Sequence, residues 1–242
     1  MAARDEMLAR IRKALGRTPG SPPVVPQSLP RSPDDLAGFM PTLPPEEWLS
    51  KFETEWAKVG GVSHRVASHD ELAEVLRTIL GGCEAGNVVL SRNPLLVALK
   101  VVEKLTAWGW SATTSPAGGT ASGELEGFRH ECFTAAVGIT GVEFVLAETG
   151  SLVVTSATEG SQLSSLAPPV HVALYRRGQL VGSLDDVLGK LHAPGEADQP
   201  AFGRSVVFIT GTSRTADIEQ ILIRGVHGPR EVHAILVEDS CL

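Results

Sequence analysis

Apolar positions recur at helical spacing three times in the first half of the chain, with strand-like runs between them. In "EEWLSKFETEWAKVGG" (46–61), Trp48, Phe52, Trp56 and Val59 form one stripe that stops at two glycines. "SHDELAEVLRTILGG" (68–82) opens with Ser68 three residues before Glu71, a capping box, and also ends in glycine. "NPLLVALKVVEKLTAWGW" (93–110) begins on Asn93 as N-cap, with Pro94 at the first helical position. Between these, "VSHRVA" (62–67), "NVVLS" (87–91) and "WSATTS" (110–115) read as short strands. Helix and strand thus alternate over 45–115, which predicts an α/β fold: a mainly parallel sheet, helices on both faces and right-handed crossovers.

The second half is patterned differently. "AAVGITGVEFVLAETGSLVVTS" (135–156) holds two apolar runs parted by Glu148-Thr149-Gly150, the signature of a hairpin or sharp bend. "VHVALYRRGQLVGS" (170–183) reads as a strand, a turn near Gly178 and a short return strand. "SLDDVLGKL" (183–191) is a helix capped by Ser183, with Asp185 and Asp186 in the first turn, where the helix dipole favours them. A last βαβ unit is expected: strand 205–210, a helix near 216–224 and strand 232–237. Ahead of all this, Leu8, Ile11 and Leu15 make an amphipathic stripe that precedes a proline-rich linker. Residues 1–46 therefore separate as an arm from a domain at 47–242. The arm either folds back on that domain or docks a partner.

Composition narrows the function classes. A chain of 242 residues, 43 % hydrophobic and 20 % charged, suits a soluble globular protein. A net charge of −7 argues against broad contact with nucleic acid or anionic membrane. No apolar run approaches the roughly 20 residues that span a bilayer. Cys83, Cys132 and Cys241 are scattered, without a C-x-x-C, which suits the cytoplasm and supplies neither a zinc nor an iron–sulfur motif. No metal ligand set or nucleotide-cofactor motif is evident in this chain.

In open α/β sheets, ligands sit beyond the carboxyl ends of strands. Four loops qualify: 91–94, 147–151, 156–163 and 211–217. In "GTSRTAD", Thr215 is a candidate N-cap, and Gly211, Thr212, Ser213 and Arg214 offer backbone, hydroxyl and guanidinium donors to an anion. Equally, Arg214 could pair with Asp217 or Glu219 beside an ordinary capped helix. In "AETGS", Glu148 is a candidate base or nucleophile and Gly150 permits close approach, with Ser151 alongside; a plain turn glutamate is the competing reading. His171, in an apolar strand, and His227, before Gly228-Pro229, are candidates only for a supporting shell with Glu219.

The strings "AETGSLVV", "PPVHVAL", "ITGTSRTADIE" and "GVHGPREVHAILVED" together resemble the LUD-domain family, in its LutC/YkgG group. The resemblance implies a NagB/RpiA/CoA-transferase-like α/β fold with a β-hairpin extension. It also implies a cytoplasmic role in oxidising L-lactate to pyruvate beside LutA- and LutB-like partners. Iron–sulfur clusters are then expected only in those partners. Site residues for a small carboxylate or phosphorylated ligand would come from "AETGS" and "GTSRTAD". Two alternatives accompany it. "AETG" is similar to the Ser-Glu-Asn-Gly bend of CoA-transferases, which would make Glu148 the nucleophile of an acyl transfer; or the chain is a non-catalytic assembly or regulatory subunit.

Overall fold

The computed structural model describes residues 2–14, 43–83, 86–117, 122–191, 203–216 and 222–241. The chain divides into two units, Met1–Thr42 and Leu43–Leu242. The first contains α1 (Ala2–Ala14), the helix expected from the stripe of Leu8 and Ile11. Leu15 and the proline-rich linker lie outside the described residues.

The second unit opens with α2 (Trp48–Lys58), whose buried face is Leu49, Phe52 and Trp56. Alternation then proceeds as the pattern predicts through β1 (Val62–Val66), α3 (His69–Gly81), β2 (Asn87–Leu90), α4 (Pro94–Ala98), α5 (Val101–Ala107) and β3 (Ser111–Thr114). The local signals are realised atom by atom: Glu71 N–H donates to Ser68 Oγ at 3.2 Å, and Leu95 N–H to Asn93 Oδ1 at 2.9 Å. The single helix expected over 93–110 is two, because Lys100 turns left-handed (φ 53°, ψ 46°) between α4 and α5.

Next comes α6 (Ser122–Thr134), which the apolar spacing does not announce, since only Phe128 and Cys132 of it are buried. It is followed by β4 (Val137–Thr140), β5 (Phe144–Leu146), β6 (Ser151–Thr155) and the single turns α7 (Ser156–Glu159) and α8 (Leu163–Leu166). The chain continues with β7 (Val170–Arg176), β8 (Leu180–Val181), α9 (Leu184–Leu191), β9 (Val206–Ile209), β10 (Arg214–Ala216), β11 (Leu222–Arg224) and β12 (Glu231–Val237).

Six strands form a parallel sheet in the order β1-β12-β7-β4-β2-β3. A second sheet, β8-β5-β6-β9, contains the antiparallel β5–β6 hairpin, with β9 antiparallel to β6 and β8 parallel to β5. One face of the parallel sheet is covered by α3, α4 and α5, with Leu72, Leu99 and Leu105 in one cluster with Ile139, Val172 and Ile235. On the other face, Phe52 and Trp56 of α2 and Val145 and Leu152 of the second sheet join Ala173, Tyr175 and Leu236. Each large side chain so buried contributes about 2–3 kcal/mol of hydrophobic stabilisation. α6 seats Phe128 and Cys132 beside Val89.

The last βαβ unit is not formed as expected. β9 joins the second sheet, and β10 and β11 pair antiparallel, Thr215 with Ile223, where a helix is predicted. Thr215 is thus a strand residue and not an N-cap. The β-branched residues Thr215 and Ile223, which pair across the ribbon, favour this outcome.

Candidate functional site

The two sheets divide the four candidate loops between opposite ends of the parallel sheet. β5 and β9 run antiparallel to β6, so their carboxyl ends, which carry 147–151 and 210–214, lie together. These loops reach the amino-terminal edge of the parallel sheet: Thr212 N–H donates to Val59 O (3.3 Å), just ahead of β1, and Ser213 N–H to Pro229 O (2.9 Å), just ahead of β12. The loops 91–94 and 156–163 lie instead at its carboxyl-terminal edge, where Arg92 N–H donates to Glu159 O (3.3 Å).

At the amino-terminal edge, Gly150 has φ 63°, and a β-carbon there would lie 2.4 Å from Trp56 N. The "AETGS" turn therefore presses directly on the last turn of α2, a conformation and a contact open only to glycine. Ser151 Oγ links Thr149 Oγ1 and Thr210 Oγ1, each at 2.7 Å, so one hydroxyl chain joins the two motif loops. Gly211 backs onto Val59, and Thr212 is buried. Arg214 reaches back over Gly60, with Nε 3.5 Å from Thr212 Oγ1, and forms no ion pair among the described residues. Thus Gly150, Ser151, Gly211, Thr212 and Arg214 are brought together around the end of α2.

Other expected residues go elsewhere. The Glu148 carboxylate turns to α9 and accepts the Leu184 N–H at 3.1 Å. Ser213 pairs its main chain with Pro229 and Gly225, and His227 is exposed. His171 is fully buried; its Nε2 meets Thr140 Oγ1 at 2.8 Å, while Nδ1 has no partner among the described residues. Burial, followed by the nearby His233, pushes its pKa down to about 3, so the ring is neutral. Asp217 and Glu219 lie outside the described residues.

At the carboxyl-terminal edge stands a residue that the sequence pattern does not single out. Glu159, at the end of α7, is fully buried. Its Oε2 accepts Ser91 Oγ–H at 2.5 Å and Gly141 N–H at 2.9 Å; its Oε1 accepts Asn93 Nδ2–H and Thr158 Oγ1–H, the latter at 3.1 Å. Burial raises the carboxyl pKa, and the bonds from Ser91, Asn93, Thr158 and Gly141 pull the other way. With its acceptor sites taken, this carboxylate ties the ends of β2 and β4 to α7. The available signal was "ATEGS" at 157–161, the string "AETGS" with two residues exchanged.

A family model, the LUD domain, matches residues 49–237. The chain belongs to the LUD-domain family. Lactate utilization protein C of Exiguobacterium sp. (strain ATCC BAA-1283 / AT1b) is 27% identical over 243 residues, covering 98% of this chain and 96% of that protein. The protein of the same name from Halalkalibacterium halodurans is 28% identical over 175 residues, 70% of each chain. Among solved structures, a DUF162 family protein from Deinococcus radiodurans has the same fold, with a TM-score of 0.55 at 22% identity, covering 81% of this chain and 99% of that one. Among the described residues, no helix is long and apolar enough to cross a membrane, and no group of three His, Cys, Asp or Glu is placed to hold a metal ion.

Proposed function

We propose that this chain serves lactate utilisation, as a cytoplasmic subunit that binds a small carboxylate beside LutA- and LutB-like iron–sulfur proteins, which would carry the electrons. The relatives named lactate utilization protein C support the process. The observations that carry the ligand reading are the Thr149–Ser151–Thr210 hydroxyl chain, which joins the two motif loops, and the Arg214 guanidinium beside Thr212 Oγ1. A guanidinium with adjacent hydroxyls suits a carboxylate, since charge-assisted hydrogen bonds are roughly twice as strong as neutral ones. In this reading Gly150, Ser151, Gly211 and Thr212 shape the pocket. Glu148 positions the first turn of α9 and does not attack substrate. Growth on L-lactate as sole carbon source tests the reading: Arg214→Ala at unchanged protein level should abolish growth, and wild-type growth would overturn it.

A further inference from the structure

The parallel sheet has a second place where chemistry is concentrated. From β2 the chain crosses to β3 on one side, whereas from β4 it crosses to β7 on the other. The carboxyl ends of β2 and β4 are therefore a topological switch point, where the two connections diverge and leave a crevice. Glu159 sits at this point, bonded to Ser91 and Asn93 after β2 and to Gly141 after β4. A saturated buried carboxylate makes a rigid floor and offers no free acceptor to a ligand.

The rim above that floor is made of donors. Gly160, the residue after Glu159, has φ 75°, and a β-carbon there would lie 2.7 Å from Ser115 Oγ and 3.1 Å from Arg92 Nε. Arg92 and Ser115, from the loops after β2 and β3, thus pack directly against the Gly160 backbone, which brings the guanidinium and the hydroxyl together. Arg92 is half-buried and held by a 3.3 Å bond from Nη2 to Ala157 O, and it makes no ion pair among the described residues. Ser115 Oγ accepts the Ser161 N–H at 3.0 Å, which leaves its own proton to donate. In a chain of net charge −7, a half-buried guanidinium with no carboxylate partner among the described residues is a fitting anchor for an anion.

We propose that this switch point is a ligand site distinct from the amino-terminal-edge cluster, and that it binds the carboxylate of a short organic acid on the Arg92 guanidinium and the Ser115 hydroxyl, which Gly160 allows to converge. One cation and a hydroxyl match a monocarboxylate; a phosphate dianion would call for more positive charge than the rim supplies. Glu159 acts as a positioning residue that fixes the three loops and does not touch the ligand.

Isothermal titration calorimetry of the full chain tests the site, with acetate and L-lactate as probes and inorganic phosphate as the competing anion. Both carboxylates should bind, about tenfold or more weakly to Arg92→Gln, which loses a charged donor, and about threefold more weakly to Ser115→Ala. In the Arg214→Gln background, which removes the carboxylate site proposed at the amino-terminal edge, one carboxylate-binding event should remain, and adding Arg92→Gln should weaken it. Uptake of phosphate alone, no uptake of either carboxylate, or unchanged affinity in Arg92→Gln would overturn the proposal. Thermal unfolding checks that Arg92→Gln is folded; if it is not, Ser115→Ala decides, and an unchanged affinity there overturns the site. Binding lost in Arg214→Gln but kept in Arg92→Gln would support the amino-terminal-edge reading and reject this one. Growth of Arg214→Ala on lactate bears only on the former.

Discussion

"AETGS" at 147–151 and "ATEGS" at 157–161 are nearly the same string, and the fold uses them in opposite ways. Both place a left-handed glycine two residues or one residue after a glutamate, at the end of an apolar strand or its following turn. Glu148 is half-buried and takes a single bond from the first turn of α9. Glu159 is fully buried and takes four, from Ser91, Asn93, Thr158 and Gly141. Which glutamate organises a site is therefore decided by what surrounds it, and the string alone does not distinguish them. At the first motif the glycine and the serine do the organising; at the second the carboxylate does.

This contrast predicts a ranked set of effects. The largest is expected at Glu159. Glu159→Ala strands the Ser91, Asn93 and Gly141 donors in the interior, and should cost about 3–5 kcal/mol in urea unfolding. Next is Gly150→Ala, where a methyl group must enter against the α2 backbone in a left-handed conformation; about 2–4 kcal/mol is expected by the same measurement. Equal stabilities of wild type and either variant would remove the basis of the contrast.

A pH series sharpens it. Burial raises the Glu159 pKa, so the folded state holds this proton more tightly than the unfolded chain does. The stabilisation from this group is fully present below the unfolded value of about 4.3 and is lost as pH rises through the raised folded value. Relative to Glu159→Gln, wild type should thus gain stability as pH falls, the reverse of a salt-bridged carboxylate. His171 works in the other direction. Its pKa, lowered to about 3, means that stability is lost as pH falls from about 6.5 towards that value. His171→Asn should flatten that limb of the profile. The smallest effect is expected at Glu148, where Glu148→Ala removes one bond to a helix start and should cost about 0.5–1 kcal/mol. Incubation with acyl-CoA and hydroxylamine should leave Glu148 unmodified; a trapped adduct would restore it as a nucleophile.

Local signals in the sequence carried the parallel half of the fold. Ser68 with Glu71, Asn93 with Pro94 and the terminal glycines each act within one helical turn, so they are readable without tertiary context. α6 escaped because its buried stripe is only Phe128 and Cys132. Where the β10–β11 ribbon lies, the sequence pattern predicts a helix, because Ile218, Ile221 and Leu222 satisfy helical spacing. "AETGS" and "GTSR" were legible as motifs, but not the hydroxyl chain that joins them, since Ser151 and Thr210 are 59 residues apart. Glu159 was hidden for the same reason: its partners Ser91 and Asn93 precede it by 68 and 66 residues. Nor does the sequence state which end of the sheet a loop occupies; that follows from β9 joining the second sheet rather than the first.

The most direct test of the functional account is reconstitution. LutA- and LutB-like partners, purified from the same source, would be assayed for oxidation of L-lactate to pyruvate with and without this chain. The account predicts that the chain co-purifies with them and that oxidation falls sharply in its absence or with Arg214→Ala. Full oxidation by the two partners alone, with no association of this chain, would contradict it.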